Sequence, residues 1–341
     1  MKARVRRRPL VLTGLVTVAT LLATTALATS SSAQAPARGA RHAARSTLPT
    51  KGWLTLVNYY RVGSGLSRVT ANPTWVAGLE DHLRYLAKTP QKYFVGKYQS
   101  LHTENPASPY YTSIGAKEGG SSDLYEGYVG ATPDQLIDGW LSAPFHAIGM
   151  LRPNLKQVAF ASTPKTGDAG LDVISGLTEI SRITLKSGKE KPPSQVLFPG
   201  NGTVTDLSTD LSGESPNPLK TCHWSGVSGV PLFALLTSVP SRSLSATLKG
   251  PHGTESTAAD TLCVVDSNDY VSPTTIYGPT GAEILSSTDA VLLIPRAPLP
   301  AGRFVASIFQ AGKPAISWTF SEGALRAAPV SRNASSAESP G

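Results

Sequence analysis

The residues here that could do chemistry lie in two stretches of the first half. Leu101-His102-Thr103-Glu104 carries an imidazole two positions from a carboxylate, and Ser121-Ser122-Asp123 places two hydroxyls beside another. Further on, His146 follows Pro144-Phe145. A hydrolase of the serine type needs a nucleophile, a base and an orienting acid in mutual contact. Ser121 or Ser122, His102 or His146, and Asp123 or Glu104 supply those types. No Gly-x-Ser-x-Gly elbow accompanies them, and no Walker loop, dinucleotide fingerprint or zinc-protease helix occurs. Two plainer readings stand beside this one. The histidines could be satisfied polar residues of a surface wall, and Glu104 a solvated loop carboxylate. His82, spaced with Leu79, Leu83 and Leu86, reads as the edge of a helical core face.

The elements that would position these groups are legible by periodicity. Trp53, Leu56, Val57 and Tyr60 share one helical face, closed by Gly63-Ser64-Gly65. Asn72-Pro73 caps and opens a second helix carrying Trp75, Leu79, His82, Leu83 and Leu86, which stops before Pro90. Thr132-Pro133-Asp134-Gln135 is a capping box, and Leu136, Ile137, Trp140 and Leu141 follow it. Between the second and third helices lie about forty residues rich in Gly, Ser, Tyr and Pro, the length of a functional loop region. Tyr110 and Tyr111, within it, either line a groove or pack the loop onto the helices. Val158–Ser162 and Leu171–Ser175 read as strands.

The second half changes character. Lys189–Pro199 is rich in Pro and Lys and reads as a linker. Short apolar runs then recur at 231–238, 243–249, 261–265, 290–294, 303–310 and 314–320, punctuated by Gly, Pro and Asn. Phe304–Phe309 and Ala315–Phe320 flank Gln310-Ala311-Gly312-Lys313, a hairpin signal. Regular short strands of this kind point to a β-sandwich.

The amino-terminal residues bear on location. Lys2, Arg4, Arg6, Arg7 and Arg8 precede a charge-free apolar stretch from Leu10 to Ala28, and Ala33-Gln34-Ala35 has the small-x-small form of a cleavage site. Residues 1–35 thus read as a signal peptide, which makes the protein secreted and leaves no transmembrane segment after cleavage. The full chain has 31 Lys+Arg against 23 Asp+Glu, for +8. Five basic and no acidic residues leave with the signal, which lowers the charge to +3 and removes the case for a nucleic-acid partner. The only two cysteines, Cys222 and Cys263, are 41 positions apart. In an oxidising compartment such a pair is expected as a disulfide.

The ordered set Val57-Asn58-Tyr59-Tyr60-Arg61, Gly65-Leu66, Asn72-Pro73, Leu101-His102-Thr103-Glu104, Gly119-Gly120-Ser121-Ser122-Asp123-Leu124 and Trp140-Leu141-Ser142-Ala143-Pro144-Phe145-His146 resembles the CAP superfamily: cysteine-rich secretory, antigen 5 and pathogenesis-related 1 proteins. The likeness is greatest to its bacterial secreted branch. It implies an α-β-α sandwich with a central cleft, in which His102 and His146 match the two cleft histidines. Two neutral imidazoles with a carboxylate would suit a divalent cation such as zinc. The family's cleft glutamates have no counterpart: Ser122 stands where the first would be, and Ser142 and Ala143 occupy the stretch of the second.

The expected fold is therefore α+β, a CAP-like α-β-α sandwich followed by a small all-β sandwich-like domain. The expected division is a signal peptide at 1–35, a disordered lead-in at 36–49, a CAP-like domain at 50–178, the β domain at 190–323 and a disordered tail at 324–341. The expected function is a secreted, non-catalytic binding module for a lipid, glycan, peptide or cell-wall ligand, with a cleft of His102, Glu104, Ser122, Asp123 and His146. No catalytic residue and no certain cofactor is assigned, and His102 and His146 are the metal candidates. A metal- or serine-dependent hydrolase using the two histidines, and an adhesion protein acting through the β domain, are the alternatives.

Overall fold

The computed structural model describes residues 52–127, 131–163, 173–178, 194–210, 213–253, 255–256, 260–274 and 276–323. The expected signal peptide, lead-in and tail, and residues 189–193 of the expected linker, lie outside them, while the end of that linker forms a strand, Val196–Phe198.

The first helix, α1 (Trp53–Gly63), buries the predicted face through Leu56, Val57 and Tyr60. Its Arg61 is fully buried and spends its donors on backbone carbonyls. The guanidinium donates to the carbonyls of Ser67 (3.0 Å), Met150 (2.7 Å), Arg152 (3.1 Å) and Leu155 (3.3 Å). Those carbonyls include the end of α5 (Pro144–Met150), where a cation also suits the negative end of a helix. Asn58 exchanges both amide hydrogen bonds with the backbone of Val69. These buried donors and acceptors fix α1 and α5 relative to one another, and α5 carries His146.

Asn72 caps a short 3-10 turn, Pro73–Trp75, which leads into α2 (Val76–Lys88). The capping box at Thr132 and Gln135 is present at the start of α4 (Pro133–Leu141). The long Gly/Ser/Tyr region contains an unanticipated helix, α3 (Ser113–Gly119), capped by the Thr112 hydroxyl, and the strand β2 (Ser122–Gly127). With β1 (Thr70–Ala71), β3 (Gln157–Thr163) and β4 (Val173–Thr178) it forms a sheet in the order β1-β3-β4-β2. Only β1 and β3 run parallel.

Two further sheets follow. One has β5 (Val196–Phe198), β7 (Leu232–Leu235), β10 (Leu262–Val265) and β11 (Ala290–Pro295) in the antiparallel order β10-β11-β7-β5. The other has β6 (Thr203–Thr205), β8 (Leu244–Lys249), β9 (Glu255–Ser256), β12 (Gly302–Gln310) and β13 (Ile316–Glu322) in the order β6-β13-β12-β8-β9. The predicted hairpin is β12–β13, in register from Gly302↔Glu322 to Ile308↔Ile316. A helix the sequence reading missed, α6 (Gly278–Thr288), leads into β11. Every residue of β7 and β11 is buried, the continuous apolar pattern of strands covered on both faces. Cys222 and Cys263 form the disulfide and tie β10 to the 219–224 turn.

The apolar core runs without interruption from α1, α4 and α5 into β5, β7, β11, β12 and β13. Phe198 stacks on Phe233 at 5.0 Å and meets Tyr60 of α1 at 5.7 Å. The Tyr59 hydroxyl donates to Val204 O (2.6 Å), and the Tyr60 hydroxyl bonds Thr205 Oγ1 (3.1 Å). Gly200 lies so close to the Gly63 carbonyl that any Cβ there would overlap it. A second, smaller apolar cluster lies on α2, around Leu79, Leu83, Tyr85 and Leu86.

Candidate functional site

The two histidines of the expected cleft are held in different ways. His102 sits in the turn after Ser100, and its Nδ1 lies 3.2 Å from the carbonyl of Gly119, at the end of α3. A carbonyl only accepts, so Nδ1 carries the proton. Burial pushes the His102 pKa down to about 4, against an opposing pull from the Gly119 carbonyl, and His102 is neutral at neutral pH. The charge of His146 also disfavours its protonation, which places the two rings in one electrostatic neighbourhood. The Tyr277 ring meets that of His102 edge-on at 5.9 Å, and the Tyr277 hydroxyl accepts from the Leu101 N–H at 2.7 Å.

His146 lies in the first turn of α5. Its Nδ1 is 2.9 Å from Oε1 of Glu214, a buried carboxylate from the second half of the chain. The same oxygen accepts the backbone N–H groups of Phe145 (2.8 Å) and His146 (3.3 Å). The first N–H groups of a helix lack internal partners, so a carboxylate is well placed there. Burial raises the Glu214 pKa, while the hydrogen bond and charge of His146 act to lower it. The outer nitrogen of His146, Nε2, has no hydrogen-bond partner among the described residues, and the side chain is 15% exposed. Beside this pair, Tyr270 packs edge-on to Phe145 at 5.7 Å. Its pKa is pushed up to about 12, by burial first and then by the Glu214 charge. Tyr270 OH and Glu214 Oε2 are both buried without a hydrogen-bond partner.

The remaining expected site residues go elsewhere. Glu104 is not a solvated carboxylate. It is 4% exposed, and its Oε1 lies 2.9 Å from His82 Nδ1 while Oε2 accepts the Thr112 N–H at 3.0 Å. His82 is wholly buried, with Nε2 on the Leu101 carbonyl at 2.8 Å. Gly119 permits this packing, since a Cβ there would enter the His82 ring. The Ser122 hydroxyl donates to Glu118 O at 2.6 Å, so its proton points into the end of α3. Asp123 is a buried residue of β2, paired in register with Leu177 of β4. Among the described residues no group of three or more His, Cys, Asp or Glu side chains is arranged to hold a metal ion. Zinc takes about four ligands, three of them protein side chains even in open catalytic sites, and two imidazoles do not meet that need.

Glu214, Tyr270 and Tyr277 complete this neighbourhood and escaped the sequence reading. Glu214 lies 68 residues from His146 and carries no local motif. Tyr277 had one usable signal: Gly278-Pro279 opens α6, with Pro in its first turn.

No helix among the described residues is long and apolar enough to cross a membrane. Neither a curated protein nor a solved structure matches the chain. Residues 54–174 match the family model described as CAP, cysteine-rich secretory protein family. Helices α1 to α5, the mixed sheet, His102 and His146 fall within that stretch or just outside it, and the match supports a CAP domain there.

Proposed function

We propose that this is a secreted CAP-domain protein that works as a non-catalytic extracellular binding module, with His146 as the polar group it offers to a ligand. The observation that carries this is the contrast between His146 and Ser122. His146 is oriented through Nδ1 and open at Nε2, whereas the Ser122 hydroxyl donates its proton to the Glu118 carbonyl. A hydroxyl whose proton is given to a carbonyl favours recognition over acyl transfer as the work of this site. Secretion is supported by the basic, apolar and small-residue segments of 1–35, and by the disulfide, which belongs to oxidising compartments. The residues from 190 onward act as a partner module that completes the binding face.

The test has two parts. The full chain, expressed in a secreting host, is expected in the medium with Pro36 as its first residue by mass spectrometry; retention with residues 1–35 attached would contradict export. The mature protein is then titrated with solubilised peptidoglycan fragments, phospholipid vesicles and a peptide mixture by calorimetry, alongside His146→Ala. Binding by one class, weakened in the variant, supports the reading. Turnover of ester or peptide substrates that is lost in His146→Ala would replace it with the hydrolase.

A further inference from the structure

The CAP stretch ends at residue 174, and the carboxylate on its second histidine does not come from it. We infer that Glu214 is a positioning residue for this site: it holds His146 as the Nδ1–H tautomer, so that Nε2 presents a lone pair to a hydrogen-bond-donating ligand group, a hydroxyl or amide N–H. This rests on the reading of His146 as a binding residue and adds the ligand chemistry and the part of the chain that sets it.

Three observations converge. First, one oxygen of Glu214 accepts from the Phe145 N–H, the His146 N–H and the His146 ring, at 2.8, 3.3 and 2.9 Å. Both backbone groups are donors, so the oxygen is oriented as an acceptor before the ring is considered, and the ring nitrogen facing it must donate. Second, His102 is held in the same sense by the Gly119 carbonyl, so its Nδ1 is protonated too. Third, the buried Tyr270 OH and Glu214 Oε2 have no hydrogen-bond partner, although Tyr270 is close enough to Glu214 to feel its charge. A buried polar atom without a partner is costly, and a bound hydroxyl or water between such groups removes that cost. A residue from beyond the CAP stretch thus supplies the carboxylate that faces His146.

The experiment reads the tautomer directly and needs no ligand. The full mature chain, labelled with 15N-histidine, is studied by long-range 1H–15N correlation at pH 8, above the ordinary histidine pKa. Free imidazole side chains favour the opposite tautomer, Nε2–H. The wild type is expected to show His146 as Nδ1–H, Glu214→Gln to keep it because the amide oxygen still accepts, and Glu214→Ala to move the ratio toward Nε2–H by about tenfold or more. A wild-type His146 in the Nε2–H form, or an unchanged ratio in a folded Glu214→Ala, overturns the inference. If Glu214→Ala does not fold, the wild-type spectrum alone decides. A ligand screen that finds nothing would count against the binding module and leave the tautomer result standing.

Discussion

Two His–Glu pairs of equal length occur in this molecule, and they do different work. His82 and Glu104 lie 2.9 Å apart, both wholly buried, and the second ring nitrogen is tied to the Leu101 carbonyl. His146 and Glu214 also lie 2.9 Å apart, but the imidazole is partly exposed and its second nitrogen is open. The first pair joins α2 to the loop before α3 and has no valence left for a ligand. The second joins the CAP domain to the later part of the chain and has one. Short distance and opposite charge type therefore say nothing about function; the state of the outer nitrogen does.

The comparison can be broken in order of effect. Replacing His82 by Leu leaves Glu104 buried without its partner. Loss of one member of a buried pair costs about 3–5 kcal/mol, and urea unfolding should show a midpoint lowered accordingly. A near-neutral result would mean that the pair is not the brace described. Next, removing both cysteines opens a loop of 41 residues and should cost about 3–4 kcal/mol on the chain-entropy model. The disulfide anchors the turn a few residues beyond Glu214, so hydrogen exchange should rise at the start of α5 and around 214–224. Exchange on α2 and α3, held by His82 and Glu104, should change least.

Glu214→Ala comes third. It removes the acceptor of two backbone N–H groups and one ring nitrogen, and a cost of about 1–3 kcal/mol is expected in the same unfolding assay. Glu104→Ala should cost more in parallel, since both its oxygens are bonded and the His82 ring is deeper.

The smallest effect concerns pH. Burial first, then the charges of Asp206 and Asp134, raise the Asp138 pKa from 3.8 to about 7, and its Oδ1 is buried without a hydrogen-bond partner. A carboxyl whose folded pKa is raised binds its proton more tightly in the folded state. Its contribution is therefore most favourable below about pH 4 and is lost as pH rises toward 7. Asp138→Asn should flatten that part of the thermal-stability profile and raise the melting temperature slightly at pH 8. An unchanged slope would show that the group is solvated.

Much of the frame was legible from local rules. The α1 stripe, the Asn72 cap, the Thr132 capping box and the β12–β13 hairpin all depend on residues within a turn or two of each other. The disulfide followed from there being only two cysteines. What failed was of two kinds. The helices α3 and α6 are built largely from Gly, Ser, Thr and Ala, residues that also make loops, and tertiary packing decided between the two. The partners of the site histidines failed for another reason. Glu104 reads from the sequence as a cleft residue or a solvated one, because its partner lies 22 residues back on a helix whose face is otherwise apolar. Glu214 is invisible to local rules because its contact spans 68 residues and four strands, β3 to β6, lie between the two in the chain. What His102 and His146 touch is a property of packing that no local pattern carries.

The most direct test of the difference between the pairs is chemical footprinting of histidine. The folded protein is treated with diethyl pyrocarbonate, which acylates an accessible neutral imidazole nitrogen, and each histidine is followed by peptide mass spectrometry. His146, open at Nε2, is expected to be modified in the folded protein while His82 stays protected until denaturant is added. Equal modification of the two, or modification of His82 ahead of His146, would contradict the assignment of one pair to the fold and the other to the site.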